Sequence, residues 1–173
     1  MPHESAPLNV IDVEANCWDG QPPPGSVNEI IEIGLTVVDV AARRRVSRHR
    51  VLVRPAWSTV SDFRGWDEYD RRQFARQSRA DGVAYPFGCP TERTHTDAKV
   101  VFAAAYGLRG KPGMDHALRI AGLPLEGRHR RGEDDVWNIA ALVLDLVGRR
   151  AWPVVAAIVK GAGLERCHIL RGR

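Results

Sequence analysis

Apolar and polar residues in the first third of the chain are arranged as they are in β-strands. Residues 8–15, LNVIDVEA, form a short β-prone run that predicts a buried strand. Residues 30–40 are rich in β-branched side chains and predict a second strand, and residues 48–54 alternate in part and predict a third. A turn at residues 41–45 separates the last two strands. Three strands in succession predict an antiparallel meander.

The remainder of the chain predicts helices. The arginine-rich segment 71–82 is expected to end as a helix at Gly82, and residues 98–105 and 113–121 predict two short helices, of which the second ends at Gly122. Between them, residues 83–96 contain Pro86, Gly88 and Pro90 and predict a loop.

The most regular helical pattern covers residues 134–147, where apolar side chains recur at three- and four-residue intervals. Asp134 and Asp135 stand at its start, where free backbone N–H groups favour negative charge. A last helix is predicted from Pro153 to about Gly161. Strands followed by helices indicate α+β or mixed α/β, in one domain over residues 1–173 with a core at 8–150 and a helical tail at 151–173.

Composition narrows the class of protein. The chain has 173 residues, of which 44% are apolar and 27% charged, as in a soluble globular domain and unlike a disordered chain. No apolar run approaches the roughly 20 residues of a membrane helix, and the N-terminus lacks a secretory pattern, so we expect a cytoplasmic protein. Cys17, Cys89 and Cys167 lack metal-ligand spacing and are expected to be reduced thiols.

Positive charge is carried almost entirely by arginine. The formal net charge is +4, from 25 Lys and Arg against 21 Asp and Glu, and only Lys99, Lys111 and Lys160 are lysines. The planar guanidinium suits bidentate phosphate contacts, so nucleic acid is a natural partner. Codon bias in a GC-rich genome gives the same composition without any ligand, and composition alone does not separate the two.

Two carboxylates inside the first strand are the sharpest chemical signal. Asp12 and Glu14 are two residues apart and therefore project from the same face of a strand. Unpaired carboxylates are costly to bury, and oxygen ligands of this kind hold hard divalent cations such as Mg²⁺. The alternatives are a pair that faces solvent at the strand end or one that is neutralised by arginine.

Further acids occur at two helix starts. Asp70 follows Tyr69 where an apparent fourth strand meets a helix, a common place for catalytic groups. Taken alone, it also fits an ordinary N-cap. Asp134 and Asp135 open the last long helix, with His129 a few residues upstream, and alone they also fit capping.

The combination of these segments resembles a known family. NVIDVEANCW, NEIIEIG, YDRRQF, YPFG, HTDAKVVFA and GLPLEGRHRRGEDDVWNIA occur in the order found in 3′–5′ exonucleases of the DEDDh group, within the ribonuclease H-like superfamily. The likeness is greatest to the branch of the histone-mRNA 3′ exonuclease and its bacterial relatives, and it spans roughly residues 8–150.

The resemblance implies a fold, a reaction and a set of metal ligands. The fold would be a ribonuclease H-like mixed sheet, the three-stranded antiparallel meander plus parallel strands, flanked by helices. Nucleoside monophosphates would be removed from the 3′ end of RNA or single-stranded DNA. The family's metal-binding acids fall on Asp12, Glu14, Asp70 and Asp135, which would hold two Mg²⁺ or Mn²⁺ ions that activate water and stabilise the leaving oxygen.

The resemblance also implies how the terminal nucleotide is held. The backbone near Ala15 and Asn16 would face that nucleotide, and Trp18 would stack on it or form a wall. Ordinary packing is the alternative for Trp18.

The chain departs from the family in two places. Where the family has a catalytic histidine, five residues before the last acid, this chain has Arg130, which cannot accept a proton. His129 is adjacent and would serve as the base only if the loop shifted by one residue. The region 54–66 is also shorter than in the family, so the chain is expected to lack the helix that normally covers one sheet face there.

These departures keep other functions open. A degenerate exonuclease would bind nucleic acid without cutting it, with Arg128, Arg130 and Arg131 as phosphate clamps. A general phosphoesterase that acts on small nucleotides is a third reading.

Overall fold

The computed structural model describes residues 7–16, 24, 28–54, 68–84, 96–128 and 131–153, with only the backbone described at 68–71. The described elements are the strands β1 (Leu8–Ala15), β2 (Ile30–Asp39) and β3 (Arg44–Leu52), followed by the helices α1 (Glu68–Ala80), α2 (Ala98–Ala105), α3 (Met114–Ala121) and α4 (Gly132–Gly148). The architecture is therefore α/β.

The three strands form the antiparallel meander that the sequence predicts, with β2 in the middle. In the pairing of β1 with β2, Asp12 lies opposite Gly34 and Glu14 lies opposite Glu32. The register shifts between Glu14 and Ala15, where the regular alternation of β1 ends.

The predicted start of the third strand is wrong. β3 begins at Arg44, four residues before the expected position, and the turn between β2 and β3 is correspondingly shorter. Arg43 adopts a positive φ of 49° at the end of this turn. The alternation was hidden because the inward positions of β3 are taken by arginines that pair with buried or half-buried acids, where a sheet would normally carry apolar side chains.

Helices are present at the four predicted positions, and α1 begins at Glu68, three residues before the predicted start at residue 71. Gly82 and Gly122, with φ of 66° and 69°, follow α1 and α3 in the left-handed conformation that ends many helices. α2 has the predicted bounds and is capped by Asp97, whose carboxylate accepts hydrogen bonds from the N–H groups of Lys99 and Val100. α4 starts two residues before the predicted position.

Helices lie on both faces of the sheet. α4 packs across all three strands on one face, and α2 and α3 pack against α4. The larger core lies between them, built from side chains of β1, β2 and the three helices: Val10, Val38, Phe102, Met114, Ala117, Leu118, Val136, Ile139, Ala140, Leu142, Val143 and Leu146. On the opposite face, Phe74 of α1 packs with Val13 and Ile30 in a smaller cluster.

Several expectations lie outside the described residues. These are the parallel strands, the three cysteines, most of the predicted loop at 83–96, the shortened region beyond residue 54 and the helix after Pro153. Within the described ranges, no helix combines the length and the hydropathy needed to cross a membrane.

Candidate metal centre

β1 carries two acids to the sheet face that α4 covers. Asp12 and Glu14 alternate along the strand with Val13, which joins the smaller core on the other face. Asp12 is 1% and Glu14 4% exposed. The sequence prediction that both carboxylates share one face is therefore met by the fold.

A third acid reaches this pair from α4. Asp135 is the fourth residue of the helix and is also buried. One carboxylate oxygen from each of Asp12, Glu14 and Asp135 can be chosen so that all three lie within 4.8 Å of one another. Residues far apart in the chain thus form one compact acidic cluster, which we call the acidic triad.

Two glycines allow α4 to approach the sheet closely enough to complete the triad. A Cβ atom on Gly34, which pairs with Asp12 across the sheet, would lie 2.3 Å from the carbonyl oxygen of Gly132. A Cβ on Gly132 would lie 2.8 Å from Oε1 of Glu32. The first turn of α4 therefore rests on bare backbone at β2, and any side chain at Gly34 would push it away.

A fourth buried acid lies next to the triad. Glu32 is 4% exposed and faces Glu14 directly across the β1–β2 pairing, an arrangement of like charges that is unfavourable in a sheet. Arg50 of β3 offsets it, because its guanidinium lies 2.7 Å from Oε2 of Glu32. This contact is the main cause that raises the pKa of Arg50.

The triad suits a hard divalent cation. Mg²⁺ prefers carboxylate oxygens at about 2.1 Å, so two ligands on opposite sides of the ion lie about 4 Å apart. The mutual distances in the triad, up to 4.8 Å, are close to this value. Three buried carboxylates also repel one another, and a cation among them removes that repulsion. The buried acidic triad can therefore hold a metal ion.

Asp134, the neighbour of Asp135 on α4, is also buried. Its Oδ1 accepts a hydrogen bond of 2.8 Å from Arg48 of β3, and its Oδ2 accepts one of 3.0 Å from the backbone N–H of Arg128. Gly127 lies against the same carboxylate: a Cβ there would be 2.4 Å from the carboxyl carbon, and its φ is 78°. Asp134 thus ties β3 and the loop before α4 to the first turn of the helix.

The same loop is held a second time at Glu126. The side chain of Asn138, which is fully buried, accepts a hydrogen bond from the backbone N–H of Glu126 and donates one to its carbonyl oxygen. The carboxylate of Glu126 accepts a hydrogen bond of 2.6 Å from the guanidinium of Arg45 and one of 2.9 Å from the indole N–H of Trp137. These two contacts lower the pKa of Glu126, with Arg45 the larger cause.

The structure does not describe every predicted site residue. Asp70 is the third residue of α1, so it is neither an N-cap nor the point, expected from the sequence, where a fourth strand meets a helix. Its side chain is not described. Trp18, His129 and Arg130 lie outside the described residues.

Ala15 and Asn16, predicted to face a terminal nucleotide, are both buried. The N–H of Asn16 donates to the carbonyl of Glu29, and its side-chain oxygen accepts from the N–H of Glu29 at 2.5 Å. These contacts fix the chain where β1 ends, next to Glu14.

The sequence analysis missed Glu32 and the arginines of β3. A signal for Glu32 was present, because the acid interrupts the apolar run IIEIG two residues before Gly34. The arginines gave no local signal, since the partners of Arg45 and Arg48 are 81 and 86 residues away in sequence.

Comparison with known proteins gives a match in structure only. No family model and no curated protein matches the chain. A crystal structure of a full-length 3′-exonuclease is similar, with a TM-score of 0.67 and 18% identity over 83% of this chain and 82% of that chain. A 3′-exonuclease in a structure of 3′-end-specific recognition of the histone mRNA stem-loop has a TM-score of 0.64 and 18% identity, over 81% and 80% of the two chains.

A third similar structure is the nuclease domain of 3′hExo, a DEDDh family member, bound to rAMP. Its TM-score is 0.65 and its identity 18%, and the match covers 81% of this chain and 90% of that chain. The fold of this chain is that of DEDDh 3′-exonucleases, the group that its sequence motifs resemble.

Proposed function

We propose that the protein is a metal-dependent 3′–5′ exonuclease that removes nucleoside monophosphates from RNA or single-stranded DNA. The observation that carries this proposal is the acidic triad of Asp12, Glu14 and Asp135, buried in a fold shared with 3′-exonucleases. The similar structures include one that recognises a histone mRNA 3′ end and one that binds rAMP. A nucleic-acid 3′ end is therefore the substrate class that we assign.

The residues of the triad have a simple task in this reaction. When bound, divalent ions supply Lewis-acid polarisation of the scissile phosphate and lower the pKa of the attacking water. The chain holds the carboxylates in place before any ion arrives, since β1 fixes Asp12 and Glu14 and the glycine contact fixes the turn that carries Asp135. We assign Asp70 as the fourth acid, and two Mg²⁺ or Mn²⁺ ions as the full complement.

The proposed reaction requires a base that deprotonates the attacking water, and the histidine of the resembled family is replaced at this position. Arg130 stands where the resembled family has histidine, and a guanidinium stays protonated at every relevant pH. His129 is the candidate in its place. We expect a slow enzyme, because bound metal ions alone still give appreciable hydrolysis.

Arg130 also favours a second function, a nucleic-acid-binding module that no longer cuts. Such a module would keep the fold and the triad and would use arginines near the acids to bind phosphate. Arg131 is half exposed but already pairs with Glu133 at 2.7 Å. This pairing weakens the case for a free phosphate clamp at that position.

A labelled oligonucleotide distinguishes the two functions. The wild-type protein with Mg²⁺ or Mn²⁺ is expected to shorten a 5′-labelled RNA or DNA strand from its 3′ end, and Asp12→Asn is expected to reduce the rate at least about a hundredfold because a triad ligand is lost. Arg130→His is expected to raise the rate by supplying a neutral base.

The matched control is Asp115→Asn, which changes an acid on α3 that is half exposed and pairs with Arg119 within its own helix. Its rate should equal that of the wild type. Binding of the strand without any shortening, in both the wild type and Arg130→His, would support the binding module and overturn the exonuclease.

A further inference from the structure

The guanidinium of Arg48 pairs with Asp134, the residue next to Asp135 of the acidic triad. We propose that Arg48 is a positioning residue: its ion pair with Asp134 holds the first turn of α4 and the adjoining loop so that Asp135 completes the metal site. The inference rests on the proposed function, because it concerns the same metal site.

The Arg48–Asp134 pair has the burial expected of such a restraint. The carboxylate of Asp134 is 7% exposed, and Arg48 reaches it at 2.8 Å from the solvent side, with its own side chain 45% exposed. A carboxylate buried to this degree needs a permanent partner, and a charge-assisted hydrogen bond is both strong and directional. The position of Asp134 is thereby fixed relative to β3.

Arg48 is itself held in one orientation. Its guanidinium lies 5.5 Å from the centre of the Trp137 ring, and that of Arg45 lies 4.2 Å from the same ring. Arg45 also donates to the carbonyl oxygen of Trp137 and to Glu126. The indole is therefore contacted by two cations and donates its N–H to Glu126, a set of contacts that leaves each guanidinium little freedom.

The restraint extends from Asp134 to two sides of the metal site. Within the helix, Asp134 and Asp135 are consecutive, and the N–H groups of both donate to the carbonyl of Arg131. In the loop, the second oxygen of Asp134 holds the N–H of Arg128, the last described residue before His129. A shift of Asp134 would thus move a triad ligand and the backbone next to the candidate base together.

The positive charge of Arg48 and its partial exposure also fit a direct contact with a phosphate group of the substrate. The geometry favours the positioning role, because the Nη1 atom of Arg48 is already engaged with a buried carboxylate. A phosphate contact would leave the metal affinity of the free protein unchanged. A positioning role would change that affinity even without substrate.

The test is the affinity of the full chain for Mn²⁺ and Mg²⁺, measured by isothermal titration calorimetry well below the unfolding temperature of every variant. Arg48→Met keeps the apolar stem and removes the guanidinium, and it is expected to weaken binding about tenfold, as loss of a supporting partner does at other metal sites. Arg48→Lys should restore part of the affinity, since it keeps the charge without the fork.

The control variant is Arg44→Met on the same strand, because Arg44 is 67% exposed and lies 3.8 Å from Asp39, which is not part of the acidic triad. Its affinity should equal that of the wild type. The double variant Arg48→Met with Asp134→Asn removes the buried charge and should recover thermal stability while its metal affinity stays low.

Wild-type affinity for Mn²⁺ and Mg²⁺ in Arg48→Met would overturn the inference, even if the variant had a lower thermal stability. Unchanged metal affinity together with a raised KM for an oligonucleotide would identify a phosphate contact. A wild-type chain that binds neither ion would instead overturn the proposed function, and with it this inference.

Discussion

The first turn of α4 buries carboxylates, whereas its last two turns bury aliphatic side chains. Asp134 and Asp135 are 5% and 7% exposed at one end, and Leu142, Val143 and Leu146 are at most 2% exposed at the other. Burial of the apolar end stabilises the folded protein. The acidic end destabilises it, because one oxygen from each of three carboxylates lies there within 4.8 Å of the others. The buried acids of the candidate metal site and the apolar core are thus separated along one helix.

The largest expected loss of stability and of metal binding comes from a substitution at the contact between the acidic end of α4 and the sheet. Gly34→Ala places a Cβ 2.3 Å from the carbonyl oxygen of Gly132, so the first turn of α4 must move. We expect a loss of about 3 kcal/mol in the free energy of unfolding, the upper part of the range for overpacking. Loss of measurable Mn²⁺ binding should accompany it.

Urea unfolding and calorimetric titration measure the two effects of Gly34→Ala. Gly110→Ala is the matched control, because a Cβ there meets nothing within 4 Å. If Gly34→Ala bound Mn²⁺ as the wild type does, the glycine contact would have no part in assembling the triad.

A change at the apolar end should reduce stability alone. Leu146 is fully buried in the larger core, so Leu146→Ala is expected to lower the free energy of unfolding by about 2–3 kcal/mol through lost burial and a residual cavity. The affinity for Mn²⁺, measured at a temperature where the variant is folded, should not change. Leu125→Ala, at a leucine that is 43% exposed, should change neither quantity.

A weakened metal site in Leu146→Ala would show that the two ends of α4 are coupled. The acidic end and the apolar end would then not act independently.

The smallest expected effect concerns the contact that joins α2 to the apolar end. The hydroxyl of Tyr106 donates to Asp145 at 2.7 Å, and burial together with this hydrogen bond raises the pKa of Tyr106 to about 12. Tyr106→Phe should lower the free energy of unfolding by about 1 kcal/mol at neutral pH, since Asp145 keeps its contact with Arg149.

The pH dependence of this difference follows from the sign of the shift. Because the folded-state pKa of Tyr106 is raised above its ordinary value of 10, the stabilisation is fully present below pH 10 and is lost as the pH rises through about 12. Urea unfolding of both proteins across this range measures it. A difference that stayed constant up to pH 12 would contradict the role assigned to the hydroxyl group.

Local patterns in the sequence were sufficient for most of the described fold. The bounds of β1 follow from a β-prone run within the strand itself. The bounds of α2 were also predicted, and the structure adds the cap at Asp97 directly before it. β3 was placed too late because Arg45 and Arg48 occupy inward positions, and their reason for doing so is a set of acids far away in the chain. A local pattern does not contain that information.

Part of the candidate site could likewise be predicted from local sequence patterns, and part of it depends on contacts between distant segments. Asp12 and Glu14 could be assigned to one face because strand geometry fixes the direction of alternate side chains. That Asp135 joins them depends on how closely α4 approaches β2, which Gly34 and Gly132 decide together. Gly34 gives no local signal of this contact, which forms only when the helix and the sheet are assembled.

The side-chain-free contact between Gly34 and Gly132 limits how this protein can be altered. Because a Cβ at Gly34 would lie 2.3 Å from the carbonyl oxygen of Gly132, substitution at Gly34 offers no graded adjustment of the distance between the helix and the sheet. The surroundings of the proposed metal site can instead be altered from the rim, where Arg48 and Arg50 pair with buried acids while a third to a half of each side chain stays exposed to solvent. An engineer who wishes to vary this centre in small steps would therefore build a library on β3.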